Sequence, residues 1–82
     1  MSRFISNGLE YSFSNDGDQI NVFNVNGDLI AIANNDTEYF NVSYYDEHGE
    51  IMDIFNTTIH ENHFNDAYQV AVWLAATHPA IN

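Results

Sequence analysis

The chain has 82 residues and a mass of 9.3 kDa, which is enough for one domain, 1–82, with a single small core. Twelve Asp and Glu residues stand against one Arg and no Lys, so the formal net charge is −11. This balance excludes a basic patch for direct binding of nucleic acid or an anionic membrane. The sequence has no Cys, no apolar run of about 18 residues that predicts a membrane span, and no secretory signal at its start.

The first half of the chain consists of short alternating runs separated by turn residues. Apolar and polar residues alternate over 9–14, which is typical of a half-buried strand. A turn at 15–18 leads to a second predicted strand over 19–25. Asn26-Gly27 is the strongest hairpin signal, because a type I′ turn needs positive φ at both central residues.

Three further segments complete a predicted antiparallel meander. The continuously apolar run 29–33 indicates a central strand that is covered on both faces. After a turn at 34–36, a fourth strand is expected over 38–45, and a turn at 46–49 leads to a fifth over 50–58. We therefore predict a sheet of four or five strands and expect no internal repeat.

The last third of the chain has helical spacing. Its apolar residues recur at intervals of three and four, at Phe64, Ala67, Val70, Ala71, Trp73 and Leu74. Asn62 or Asn65 is the expected cap, Asp66 in the first turn suits the helix dipole, and Pro79 ends the helix near Thr77. The predicted fold is α+β, a four- to five-stranded antiparallel meander with one C-terminal helix, over about 63–78, packed on it.

A second set of apolar side chains is out of phase with the predicted core. The core set is Ile20, Val22, Phe40, Val42 and Tyr44, and the other set is Phe23, Val25, Tyr39 and Tyr45. Scattered surface apolar residues are common. The alternative is a homodimer or partner surface on the second sheet face or on the outer side of the helix.

The acidic residues fall mainly at the two ends of the predicted sheet, and only Asp53 is expected in the middle of a strand. Alternate turns of a meander lie at the same end. One end is predicted to carry Asp16, Asp18, Asp36, Glu38, Glu61 and Asp66, and we take these six as the partner-binding candidates. The opposite end carries Asp28, Asp46, Glu47 and Glu50, near Glu10. Turns are also where acidic residues commonly occur, but this does not explain why Lys is missing from every turn.

No pattern in the sequence indicates catalysis, a cofactor or a resident metal. The acids are expected to be solvated, whereas a catalytic carboxylate pair needs a raised pKa. His60-Glu61-Asn62-His63 has one residue too few between its histidines for a zinc-protease motif, and exposed loop histidines are preferred over a surface metal site. Asp16-Gly17-Asp18 begins like a calcium loop but lacks the bidentate Glu at its end. We expect a protein that is not an enzyme.

A rigid acidic protein fits a binding inhibitor that occupies a nucleic-acid site on a basic target. In its acid excess, its Asn-Gly and Asp-Gly hairpins and its C-terminal stretch 65–74, the chain resembles small acidic phage-encoded inhibitors. These are the anti-CRISPR proteins and, more loosely, uracil-DNA glycosylase inhibitors and antirestriction DNA mimics. The likeness is one of type over all 82 residues, not of a specific motif. It implies a viral protein in the host bacterial cytoplasm that binds a CRISPR effector and blocks its DNA or guide-RNA surface, or locks its conformation.

Two other functions fit parts of the pattern. An immunity protein or antitoxin that caps a basic nuclease or toxin has identical electrostatics. A salt-adapted non-catalytic domain explains the missing Lys, but it fits the aromatic content of 15% less well.

Overall fold

In the part of the chain that the structure describes, six antiparallel strands form one sheet in chain order, and one helix packs on it. A computed structural model describes residues 2–58, 64 and 66–80. The elements are β1 (Ser2–Ser6), β2 (Leu9–Asp16), β3 (Gln19–Phe23), β4 (Leu29–Asp36), β5 (Tyr39–Tyr45), β6 (Ile51–Thr58) and α1 (Ala67–Thr77). The predicted α+β meander is confirmed, but the predicted count of four to five strands is wrong, because the sheet has six.

The strand missed by the sequence analysis is β1. It buries only Phe4 against the core, so its alternation of apolar and polar residues is too short to predict a strand. The turn after β1 has positive φ at both Asn7 (53°) and Gly8 (78°), as a type I′ hairpin requires. Asn26-Gly27 does not form that turn, since only Gly27 has a positive φ.

The turns after β3 and β5 are built alike, around one side-chain acceptor each. The Asn24 Oδ1 atom accepts from the backbone N–H groups of Asn26 (3.0 Å) and Asp28 (2.9 Å). The Asp46 Oδ1 atom accepts from those of His48 (2.8 Å) and Glu50 (2.9 Å). In both turns a Gly in fourth position has positive φ, and a register shift interrupts the adjoining ladder. This is the Asx-turn chemistry that favours Asn and Asp in turns.

Two short segments that precede these turns are similar in sequence, which the sequence analysis did not note. Residues 15–22 read NDGDQINV and residues 35–42 read NDTEYFNV, and each segment runs from a tight turn into the strand that precedes an Asx turn. Ile20 and Val22 in the first copy occupy the same buried positions as Phe40 and Val42 in the second. The match is short, since it covers eight residues of which four are identical.

The core lies between α1 and one face of the sheet. The helix buries Val70, Ala71, Leu74 and Ala75, and it packs on β1, β2 and β3. Asp66 is the N-cap, because its Oδ1 atom accepts from the Gln69 N–H at 2.9 Å. The expectation that Asn62 or Asn65 caps the helix, with Asp66 in its first turn, is therefore wrong, and Asn62 and Asn65 themselves lie outside the described residues. The helix ends at Thr77, two residues before Pro79, as predicted.

Aromatic side chains cover the other half of the same face. Phe64 packs on Phe40 at 5.5 Å and on Trp73 at 5.4 Å between ring centroids, and Trp73 also contacts Phe55 of β6 at 6.3 Å. The opposite face of the sheet has no cover within the described residues. The prediction that the strand at 29–33 is covered on both faces is therefore wrong, and Ile32 remains partly exposed on the open face.

Candidate functional site

Two neighbouring tight turns and the start of α1 meet at one end of the sheet, as the meander predicts. Asp16 ends β2 and Asp36 ends β4, with Asp18 and Glu38 in the turns that follow. The Asn35 N–H donates to the Asp18 carbonyl at 2.8 Å, which ties the two turns together. We call this the acidic end, defined by Asp16, Asp18, Asp36, Glu38 and Asp66. Glu61, the sixth candidate, lies outside the described residues.

Four of the five carboxylates of the acidic end divide between the two faces of the sheet. Asp18 and Asp66 line a cleft of about 210 Å³ between the β2–β3 turn and the start of α1, with Phe40 and Phe64 behind them. Strand alternation places Asp16 and Asp36 on the open face instead. The sequence analysis predicted that these acids share an end, but it did not predict this division.

Backbone geometry at the acidic end differs between its two turns. Gly17 has a φ of 63° in the first turn, and Thr37 has a φ of 49° in the second. A left-handed conformation costs a β-branched residue more than it costs Gly. The Glu38 N–H donates to the Asp36 carbonyl across Thr37, so this strained turn holds two of the candidate acids in a compact loop.

The opposite end carries Asp28, Asp46, Glu47 and Glu50 in the two Asx turns. Three turn N–H groups, above all that of Glu50, hydrogen-bond to Asp46 and hold the pKa of its carboxyl below the usual range. The Asp46 side chain therefore stabilises the backbone of its own turn. The acids of the acidic end have no such turn-building role, apart from Asp66 at the N-cap.

The only Arg of the chain lies away from the acidic end. Arg3 is in β1, and its guanidinium is 3.6 Å from the carboxylate of Glu10, with both side chains largely exposed. The chain has no Lys. Asp53 lies within β6 opposite Tyr44, as predicted for the one mid-strand acid.

The open face carries a row of side-chain amides that the sequence analysis did not identify. Gln19, Asn34, Asn41 and Asn56 are successive cross-strand partners on four strands. The row beside it, Ser14, Asn21, Ile32, Ser43 and Ile54, also has no charge. Gln19 Nε2 donates to Asn21 Oδ1 (2.7 Å) and so joins the two rows, and Asn21 Nδ2 donates to Ser14 Oγ (3.2 Å) within the second row. These two rows of the open face therefore carry no charged side chain.

Three or more His, Asp or Glu side chains placed to hold a metal ion do not occur in the described part of the chain. His60, Glu61 and His63 lie outside it. Among the described residues, no helix is long and apolar enough to cross a membrane. The chain matches no protein-family model, and neither a curated protein nor a solved structure is similar to it.

Proposed function

We propose that the protein is a non-catalytic binding inhibitor, an anti-CRISPR protein of a bacterial virus, which acts in the cytoplasm of the host. Its acidic end occupies the nucleic-acid-binding surface of a CRISPR effector and takes the place of phosphate groups. The observation that supports this proposal is the convergence of five carboxylates on one end of a rigid sheet. The single Arg pairs with Glu10 elsewhere.

The physical basis is electrostatic complementarity. DNA- and RNA-binding grooves present Lys and Arg side chains that neutralise phosphates and release counterions. A protein with a net charge of −11 meets such a groove with a complementary potential, which speeds association and selects the partner. Spaced carboxylates on two sides of one sheet end give the groove anionic contacts on both walls.

Two matched variants test the proposal, because each changes the net charge by the same amount. The first variant carries Asp16→Asn, Asp18→Asn, Asp36→Asn and Glu38→Gln. The control variant carries Asp28→Asn, Asp46→Asn, Glu47→Gln and Glu50→Gln. Asn at position 46 keeps the turn acceptor, as Asn24 shows in the equivalent turn. Both variants are therefore expected to fold.

The readout is DNA binding by purified CRISPR effectors, measured by fluorescence anisotropy at two salt concentrations. We expect the unmodified chain to displace DNA, more weakly at high salt, and the first variant to lose inhibition by about tenfold or more. The control variant retains most of it. Equal small losses in both variants, or an effector that binds the chain and still binds DNA, would contradict the mimic mechanism.

A second arm of the assay replaces the effectors with basic nucleases of toxin systems. Inhibition of a nuclease and of no effector would favour the immunity-protein or antitoxin alternative over the anti-CRISPR proposal. A chain that inhibits neither class and unfolds at low salt would favour a salt-adapted domain.

A further inference from the structure

The two edge strands of the sheet differ in how they are protected. Exposed edges pair readily with other chains, and natural proteins protect them with short strands, basic residues, Pro or covering elements. Edge strand β1 is five residues long, carries Arg3, and packs against α1, whose Tyr68 ring lies 6.1 Å from that of Phe4. Edge strand β6 is eight residues long and has no Lys, Arg or Pro.

Strand β6 also carries exposed apolar side chains. Ile51, Met52 and Ile54 are 59%, 42% and 56% exposed. Within the described residues, β5 is the only strand that pairs with β6. The segment 51–56 therefore offers an edge of about 20 Å to an incoming strand.

We infer that this edge, which we call the β6 edge (residues 51–56), binds an extended segment of a basic partner as a seventh strand. In such strand addition, backbone hydrogen bonds supply affinity and alternate side chains supply specificity. The segment that fits is one in which apolar residues alternate with Lys or Arg. The sign of the partner's charge rests on the proposed function, whereas the position of the edge does not.

Charge selects this occupant over a second copy of the chain. Asp53 lies within the β6 edge, Glu50 directly precedes it, and Glu38 lies in the turn beside the far end of β6. A basic segment compensates all three carboxylates. A second copy would instead bring another Asp53 and a further net charge of −11 to the same edge. The predicted homodimer is thus the competing occupant.

The test uses a synthetic peptide of about ten residues in which Val and Thr alternate with Lys. A second peptide has Glu in place of Lys. Binding to the full chain is followed by NMR titration and by amide hydrogen exchange. We expect the Lys peptide to slow exchange in 51–56 and leave β1 unchanged, and the Glu peptide not to bind.

Matched variants locate the binding. Ile54→Lys blocks the β6 edge, and Ile5→Lys makes the same charge change on the other edge, where Ile5 is 74% exposed. We expect Ile54→Lys to weaken peptide binding by about tenfold and Ile5→Lys by about twofold or less. Equal weakening, or protection of β1, would overturn the inference. Ile51→Lys replaces Ile54→Lys if circular dichroism shows that the latter does not fold.

Light scattering on the chain without peptide measures whether the chain is a monomer or a dimer. A dimer that Ile54→Lys converts to a monomer would overturn the basic partner in favour of a second copy. The peptide assay contains no effector. It therefore remains readable if the acidic-end variants disprove the proposed function, and its failure leaves the inhibition assay intact.

Discussion

The two halves of the sheet are covered in different ways on the same face. Strands β1 to β3 lie under α1, whose buried stripe includes Leu74, whereas the β4–β6 half depends on the aromatic rings of Phe55, Phe64 and Trp73. The cause is geometric, because a helix about 10–12 Å wide covers two or three strands that are spaced about 4.8 Å apart. The one helix among the described residues therefore leaves half of the six-stranded sheet with a thinner cover.

Truncation of one buried residue in each half should show the largest difference. Leu74 is fully buried, so Leu74→Ala should lower the free energy of unfolding by about 3 kcal/mol through lost burial and a residual cavity. Phe55 is partly exposed, and Phe55→Ala should cost about 1–2 kcal/mol. Urea unfolding followed by circular dichroism measures both. Equal losses would show that the two halves are packed equally well.

A partly buried hydrogen bond between Tyr44 and Thr77 connects the halves and gives the next effect in size. Thr77 donates its hydroxyl proton to the Trp73 carbonyl at 2.8 Å, so the Tyr44 hydroxyl must donate to Thr77 Oγ1. Tyr44→Phe should lower the free energy of unfolding by about 1 kcal/mol, because this hydrogen bond of the buried tyrosine is lost. The comparison variant is Tyr11→Phe, which retains the bond to Thr77. A loss confined to the Tyr11 variant would contradict this account.

Tyr44 also makes stability sensitive to alkaline pH. Burial, partly offset by the Thr77 hydrogen bond, raises the pKa of Tyr44 above its ordinary value. Because this pKa is higher in the folded than in the unfolded state, the contribution of protonated Tyr44 to stability is complete below about pH 10. It is lost as the pH rises through the folded-state pKa. Between pH 8 and 11 the free energy of unfolding should therefore decrease less steeply with pH in Tyr44→Phe than in the unmodified protein.

The two Asx turns predict a smaller effect at acid pH. Hydrogen bonds from the Glu50 and other turn N–H groups lower the pKa of Asp46. In the equivalent turn the uncharged Asn24 side chain accepts the same backbone hydrogen bonds. Because the pKa of Asp46 is lower in the folded than in the unfolded state, ionised Asp46 stabilises the fold at pH values above the unfolded-state pKa. This stabilisation is lost as the pH falls below about 4. Asp46→Asn should keep the turn and reduce the acid sensitivity. Identical acid unfolding curves would contradict this role.

The smallest effect is expected for the ion pair of the helix-covered half. Arg3 and Glu10 are largely exposed and 3.6 Å apart. Arg3→Gln should change the free energy of unfolding by less than about 0.5 kcal/mol, and less at high salt. A loss of more than about 1 kcal/mol, measured by the same urea unfolding, would show that β1 needs this pair to stay docked.

Much of the candidate site could be predicted because it depends on chain order alone. In any antiparallel meander alternate turns share an end, so Asp16, Asp18, Asp36 and Glu38 meet wherever the strand limits fall. The division of these acids between two faces could not be predicted, since it depends on the register of each strand. The amide row from Gln19 to Asn56 was missed for the same reason, because it exists only across four paired strands.

The amino-acid sequence alone determined the α+β class, the end of the helix before Pro79, and the alternation that buries Val22 and Val42. These follow from local periodicity and from the missing N–H of Pro. Only the tertiary structure decided that β1 pairs at one edge, that α1 covers three strands, and that β6 is left at the other edge. Those outcomes depend on sheet width and strand pairing, which connect residues that are far apart in the chain.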